Sequence, residues 1–289
     1  LIDGLVVVDK AAGWTSHDVV AKCRGIFGQK RVGHAGTLDP GATGVLLVGL
    51  GRVTRLLRYP GALPKTYVGE VVLGTETSTL DDEGEVTATY DMAGVALDDV
   101  RIAAERFVGE IEQVPPMVSA VKVGGRRLHE LARAGEEVER EPRPVTVYQL
   151  AVSDAADPGV FTIEVTCSAG TYIRVLAADI GHALGGGAHL RRLRRTAVGE
   201  FPVAQAQPIE KLASETVLPP LEAMRGYPRV GVAQAVVDDV RHGKVLDTAA
   251  LGLEGAGPWA IIDGDEALLA VYEPYDEGRV KPAVVIASG

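Results

Sequence analysis

The chain has 289 residues, 46% of them hydrophobic, and a formal net charge of -10, which argues against indiscriminate nucleic-acid binding. That length suits one large domain and a small one. No apolar run is long enough to cross a membrane, and Leu5–Val8 is too short and too soon followed by Asp9 and Lys10 for a signal peptide. Cys23 and Cys167 match no metal spacing and cannot build a disulfide framework, so they are read as reduced core thiols of a cytoplasmic protein.

Leu5–Val8 reads as a short buried strand. Thr15 with Asp18 can cap a helix whose apolar face is Val19, Val20, Cys23, Ile26 and Phe27. A Gly-rich loop, residues 33–44, leads into the apolar run Val45–Leu50. Thr66–Leu73 alternates as a strand, and Glu76–Glu85 is acidic and turn-rich. Leu97–Phe107 reads as a helix with Val100, Ala104 and Phe107 inward, and Arg127–Ala134 as a short helix stopped by Gly135. Phe161, Ile163, Val165 and Cys167 face one way on a strand. Beyond the turn at Gly170, Ile173, Leu176, Ala177, Ile180 and Leu184 repeat at helical spacing. Near Tyr227–Pro228 the texture changes to a helix, Val232–Arg241, and three strands, Trp259–Ile262, Ala267–Tyr272 and Lys281–Ala287. Strands and helices without regular alternation predict a mixed α/β (α+β) fold. The expected domains are 1–225, with an insertion at about 76–145, and 226–289.

Charge is unevenly spread. Residues 1–75 carry nine Lys/Arg against five Asp/Glu, and residues 168–200 five against two, while the remainder is strongly acidic. Positive charge gathered at one place on an acidic chain suits a polyanionic substrate bound there. Lys30, Arg31, Arg191, Arg192, Arg194 and Arg195 are the candidate phosphate contacts, with Arg126 and Arg127 as candidates for a clamp in the insertion. A dense arginine run also reads as a solvated face.

The segment Gly33-His34-Ala35-Gly36-Thr37-Leu38-Asp39-Pro40-Gly41-Ala42-Thr43-Gly44 holds four glycines, one carboxylate and one imidazole. Pro40 pushes Asp39 away from helical backbone. By itself the segment reads as an Asp-Pro turn between strands. It is no phosphate loop, because it lacks the G-x-x-x-x-G-K-[ST] and G-x-G-x-x-G patterns, and no ligand cluster stands near it for a metal.

With other segments it resembles the signature of the TruB family, bacterial synthases that make pseudouridine in the TΨC loop of tRNA. Asp9-Lys10 through Gly13-Trp14-Thr15-Ser16-His17-Asp18, Lys65-Thr66-Tyr67 with Leu73-Gly74, the acidic turn Thr79–Val86, the run Pro115–Lys122, Cys167-Ser168-Ala169-Gly170-Thr171-Tyr172-Ile173-Arg174 and Gly187–Leu190 with Leu193-Arg194-Arg195 follow in the family's order. Ala11 and Gly41 depart from it, standing where proline and a larger apolar residue are usual. The resemblance covers roughly residues 5–205. It implies a pseudouridine-synthase-like catalytic domain with a mixed, largely antiparallel sheet, and a small PUA-like, β-rich C-terminal domain.

The implied activity is isomerisation of a tRNA uridine (position 55) by a stand-alone monomer needing no cofactor, metal, membrane or protein partner. The resemblance makes Asp39 the nucleophile and Tyr67 the residue stacking on the flipped base. It places Tyr172 and Leu193 at the substrate and gives His34 an RNA contact. Arg174 is Asp39's natural partner, since a guanidinium favours a charged carboxylate. A cation in the first turn of a helix, where the macrodipole disfavours it, points the same way. Two alternatives are a noncatalytic tRNA-binding or tRNA-folding protein on the same scaffold and a guide-RNA-dependent synthase.

Overall fold

The computed structural model describes residues 1–117, 138–286 and the backbone of 122–123 and 126–127. Strands β1 (Gly4–Lys10), β2 (Val32–Ala35), β3 (Thr43–Leu50) and β4 (Lys65–Leu73) come first, with helices α1 (Ser16–Ile26) and α2 (Arg58–Ala62) between them. The hairpin β5 (Thr75–Thr77) and β6 (Val86–Thr89), helix α3 (Leu97–Glu105), β7 (Gly109–Gln113) and the short pair β8 (Lys122–Val123) and β9 (Arg126–Arg127) follow. Next are β10 (Arg143–Asp154), β11 (Val160–Cys167), α4 (Ile173–Ala183), β12 (Ala188–Val198), β13 (Phe201–Pro202) and β14 (Gln207–Pro208). The C-terminal part holds β15 (Arg229–Gly231), α5 (Gln234–Arg241), β16 (Leu246–Asp247), α6 (Thr248–Leu251), β17 (Trp259–Ile262), β18 (Leu268–Asp276) and β19 (Arg279–Val285).

The main sheet runs β14-β1-β3-β12-β4-β11-β10-β7, with β2 on β3 and β13 on β12. Its pairings are antiparallel except β1·β14 and β3·β12, so the sheet is mixed and largely antiparallel as expected. The runs Leu5–Val8 of β1 and Val45–Val48 of β3 are apolar because both faces are covered. Val6, Val8, Leu46 and Val48 enter the core beneath α1 and α4, while Leu5, Val7, Val45 and Leu47 enter a second core on the opposite face. Phe161, Ile163, Val165 and Cys167 share the first core, as their alternation predicts.

The second sheet runs β15-β17-β18-β19-β16. It has a core of its own around Val237, Val240, Trp259, Leu269 and Tyr272. Ala260, Leu268, Val271, Val284 and Ile286 instead join Leu5, Val7, Val45, Leu47 and Phe201 in the second core of the main sheet. Polar ties run alongside. The Arg55 guanidinium donates to the Val285 carbonyl at 3.0 Å, Arg58 pairs with Glu273 at 2.7 Å, and the Tyr59 hydroxyl donates to Glu273 at 2.9 Å.

Several element ends move. Helix α1 starts at the expected cap, where Thr15 Oγ1 accepts from Asp18 N at 3.0 Å and Asp18 accepts from Thr15 N at 2.9 Å. Helix α3 stops at Glu105, and Phe107 packs on the core from beyond it. Helix α5 starts at Gln234, since Val230 and its neighbours pair with β17. The loop expected at 33–44 is shorter, because Val32–Ala35 is a strand paired with β3. Of the short helix expected at Arg127–Ala134, Arg127 belongs to β9 and the rest lies outside the described residues.

Candidate active site

Asp39 sits at the tip of the turn joining β2 to β3. The turn is bonded from two sides. From α1, Ser16 Oγ accepts from Leu38 N at 2.9 Å and donates to Leu38 O at 3.1 Å. The carbonyl of Pro40 accepts from Gly13 N at 2.9 Å and from Lys10 Nζ at 3.1 Å. The N-terminal motif is thus the wall that holds the carboxylate-bearing turn. Burial pushes the Lys10 ammonium down to about 8, and the nearby Asp39 carboxylate only partly opposes this.

From below, Arg195 does the same. Its side chain is buried and donates to the carbonyls of Val45 at 2.7 Å, Gly36 at 3.1 Å and Thr37 at 3.4 Å. Those of Gly36 and Thr37 lie in the turn and that of Val45 at the start of β3, so a five-donor fork suits them. Gly44 completes the fit. Its φ is +101°, and a Cβ there would lie 2.1 Å from the Arg195 carbonyl oxygen, so only glycine lets β3 meet β12.

Arg174 reaches Asp39 from the second residue of α4. Its Nη2 lies 3.0 Å from Asp39 Oδ2, with 5% of the arginine side chain exposed and 45% of the aspartate. Its Nη1 donates to the Thr79 carbonyl at 2.9 Å and stands 3.4 Å from Asp81 Oδ2. The acidic turn is folded for this. Thr77 Oγ1 donates to Asp81 O at 2.6 Å, Asp81 Oδ1 accepts from the Thr79 hydroxyl and from Glu83 N, and Leu190 N of β12 donates to Leu80 O at 3.0 Å. Two carboxylates and a carbonyl therefore offset a cation held near a helix N-terminus.

Asp39, Arg174 and Leu193 stand between two cavities of about 290 Å³ each. One is walled by Gly36, Lys65, Tyr67, Tyr172 and Arg195. The other is walled by Gly41, Ala42, Asp81, Asp82, Glu83, Leu190 and Arg192. Tyr67 is 9% exposed, and burial holds its phenol above the ordinary value although the Arg195 guanidinium opposes the shift. Lys65 donates to the carbonyls of Gly61 and Leu63, and burial lowers its ammonium to about 8. Burial, then Asp81, Asp82 and Asp39, raise the Glu83 carboxyl.

Residues 24–173 match the TruB family pseudouridylate synthase (N terminal domain) profile, and residues 174–222 match the tRNA pseudouridylate synthase B C-terminal domain. The chain belongs to the TruB family. It is 44% identical to the tRNA pseudouridine synthase B of Thermobifida fusca over 99% of each chain. It is 50% identical to that of Symbiobacterium thermophilum over 84% of this chain and 82% of that one. Among solved structures it resembles a Cbf5-Nop10-Gar1 complex, with a TM-score of 0.76 and 28% identity over 99% of this chain and 84% of that one.

The remaining predicted residues fall in three groups around this TruB-family site. Tyr172 and Leu193 line the cavity with Tyr67. His34 lies on β2 and not on a surface loop. Its ring meets that of His17 edge-on at 5.4 Å, and its Nδ1 is buried with no hydrogen-bond partner among the described residues. Burial, with His17 and Arg195 adding to it, lowers the His34 imidazole to about 4, so it is neutral at pH 7.

The basic residues divide. Lys30 and Arg31 are exposed between α1 and β2, where Arg31 Nε donates to Thr54 Oγ1 at 3.0 Å. Arg192 bulges out of β12 at φ +54° and is 68% exposed, 3.2 Å from Glu70. Arg191 is held by Glu70 and Asp157, each at 2.6 Å, and Arg194 by Asp9 at 2.8 Å. Arg195 is a correction to the expected surface phosphate contacts: it is buried beneath the turn, with its guanidinium given to backbone carbonyls at the cavity wall. The side chains of Arg126 and Arg127 lie outside the described residues.

Asp81 was not foreseen as a partner of Arg174. The signal was present in the acidic turn, but 93 residues separate the two in sequence.

Proposed function

We propose that this chain isomerises a uridine of the TΨC loop of tRNA to pseudouridine, with Asp39 as the nucleophile. The observation that carries the reading is the Arg174–Asp39 contact of 3.0 Å at the mouth of a cavity walled by Tyr67. Arg174 pairs with Asp39 and aims one oxygen, while the carboxylate's exposure leaves it open to a substrate.

The reaction needs no donor and no redox step. Attack by Asp39 on the flipped nucleotide accompanies loss of the N1–C1′ bond. The base turns, C5 bonds to C1′, the bond to Asp39 breaks and returns the carboxylate, the C5 proton leaves and N1 takes up a proton. Tyr67 and Tyr172 supply aromatic faces on which the extruded base stacks, and Leu193 closes the cavity. His34 enters the RNA loop as a neutral ring. Lys30, Arg31 and Arg192 are the phosphate contacts. The C-terminal sheet, about residues 226–289, is read as a PUA-like RNA-contacting unit.

The chain is read as a stand-alone cytoplasmic monomer. Supporting the tRNA substrate, relatives named tRNA pseudouridine synthase B match the chain over nearly their whole length. A binding-only role would not need an ion-paired carboxylate facing a cavity. The test is tritium release from unmodified tRNA carrying [5-³H]uridine, with the product position mapped. Asp39→Asn should bind tRNA and release no tritium. Turnover by that variant would remove Asp39 from the chemistry, and no product from the unaltered chain would remove the enzyme reading.

A further inference from the structure

We propose that Gln113 is a positioning residue for this reaction, holding the backbone of Tyr172 and through it the helix end that carries Arg174. The proposal rests on the isomerase reading above.

Gln113 is the last paired residue of the edge strand β7, opposite Arg143, and it is 2% exposed. Its backbone serves the sheet. Its side chain turns to a residue 59 positions away, accepting through Oε1 from Tyr172 N at 2.9 Å and donating through Nε2 to Tyr172 O at 3.3 Å. Only one orientation of the amide satisfies both partners, since an N–H needs the oxygen and a carbonyl needs the nitrogen. The side chain thus acts as a neighbouring strand would, but for one residue.

That residue is the N-cap of α4, and Tyr172 supplies no side-chain cap. Its carbonyl also accepts the first helical bond, from Leu176 N at 3.1 Å. The same turn is held at its other end by β10, where Ser168 N donates to Thr146 O at 2.8 Å and Thr146 N donates to Ser168 Oγ at 2.9 Å. Ser168 and Gln113 therefore fasten the turn at both ends, to β10 and to β7. Arg174 lies two residues beyond the Gln113 contact, with its guanidinium committed to Asp39, Asp81 and Thr79. Loosening Tyr172 frees the helix start, and small misplacements of an aiming group are expensive in rate.

Leucine removes both bonds, glutamate keeps only an acceptor, and asparagine keeps both groups on a stem one methylene shorter. With unmodified tRNA at saturation, Gln113→Leu should lower the single-turnover rate by about ten- to a hundredfold with little change in Kd for tRNA. Gln113→Glu keeps the volume and the bond from Tyr172 N but sets an oxygen against Tyr172 O, so its rate should also fall. Amide exchange at Tyr172 should quicken in Gln113→Leu and little in Gln113→Glu, which keeps the acceptor for that N–H. Combined with Arg174→Lys, the losses should be less than multiplicative, because both act on the same guanidinium.

A folded Gln113→Leu or Gln113→Glu chain with the unaltered rate overturns the proposal, as does a loss confined to Kd or one that multiplies fully with Arg174→Lys. An unaltered chain that makes no pseudouridine overturns the isomerase reading itself. An active chain indifferent to Gln113 overturns only the positioning role.

Discussion

Arg174→Lys keeps the charge of the site and removes its geometry. The guanidinium reaches Asp39 at 3.0 Å through Nη2, and Thr79 O at 2.9 Å and Asp81 at 3.4 Å through Nη1. A lysine ends in one nitrogen on a shorter reach, so it cannot address both carboxylates in fixed directions. A charge-assisted hydrogen bond contributes about 1.5–3 kcal/mol. The Asp39 carboxylate is 45% exposed, so water replaces part of what is lost and the low end of that range applies. At about 1.4 kcal/mol per decade, the chemical step should slow by about ten- to thirtyfold. The assay is single-turnover tritium release at saturating tRNA, run beside a tRNA-binding titration. A rate equal to that of the unaltered chain would refute the argument that orientation matters beyond charge. So would a loss that appears wholly in Kd.

Three further expectations follow from the geometry. Arg192→Ala should weaken tRNA binding and lower the slope of log K against log salt by about one, while Arg191→Ala, whose guanidinium Glu70 and Asp157 already hold, should leave the slope unchanged. Equal slopes for the two variants would place the phosphate path elsewhere. Gly44→Ala places a Cβ against the Arg195 carbonyl at positive φ, so it should lower Tm and the yield of folded protein, and an unchanged Tm would contradict the close β3–β12 contact. The His34 imidazole sits at about 4 in the folded chain against 6.5 for an ordinary histidine. Between those values the unfolded chain binds the extra proton, so His34 contributes stability above the upper value that is lost as pH falls toward the lower one. Urea midpoints measured across that window should decline less with acidification in His34→Asn than in the unaltered chain, and parallel curves would be evidence against a buried neutral ring.

Local patterns made much of this molecule readable. The cap at Thr15 and Asp18, the one-sided apolar alternation from Phe161 to Cys167 and the helix after Gly170 each rest on neighbours within a few positions, and each appears. The pairing of Arg174 with Asp39 was accessible because a cation near a helix start is electrostatically out of place. Arg195 shows the limit. From sequence it is one arginine in a basic run, and nothing local distinguishes it from Arg192. Its partners are backbone carbonyls about 150 residues away, and only the parallel meeting of β12 with β3 brings them together. Gln113 was invisible for the same reason, since a lone glutamine at a strand end signals nothing until Tyr172 lies beside it.

The second core has a practical meaning for anyone who would shorten this chain. Ala260, Leu268, Val271, Val284 and Ile286 close over Leu5, Val7, Val45 and Leu47, which belong to the strands leading toward Lys10 and away from Asp39. A fragment ending near residue 225 would retain every side chain assigned to the chemistry, yet it would bare the underside of the strands that carry them. The C-terminal sheet is thus less an appendage than a back wall. Its inward face is bound to the fate of the nucleophile's own scaffold.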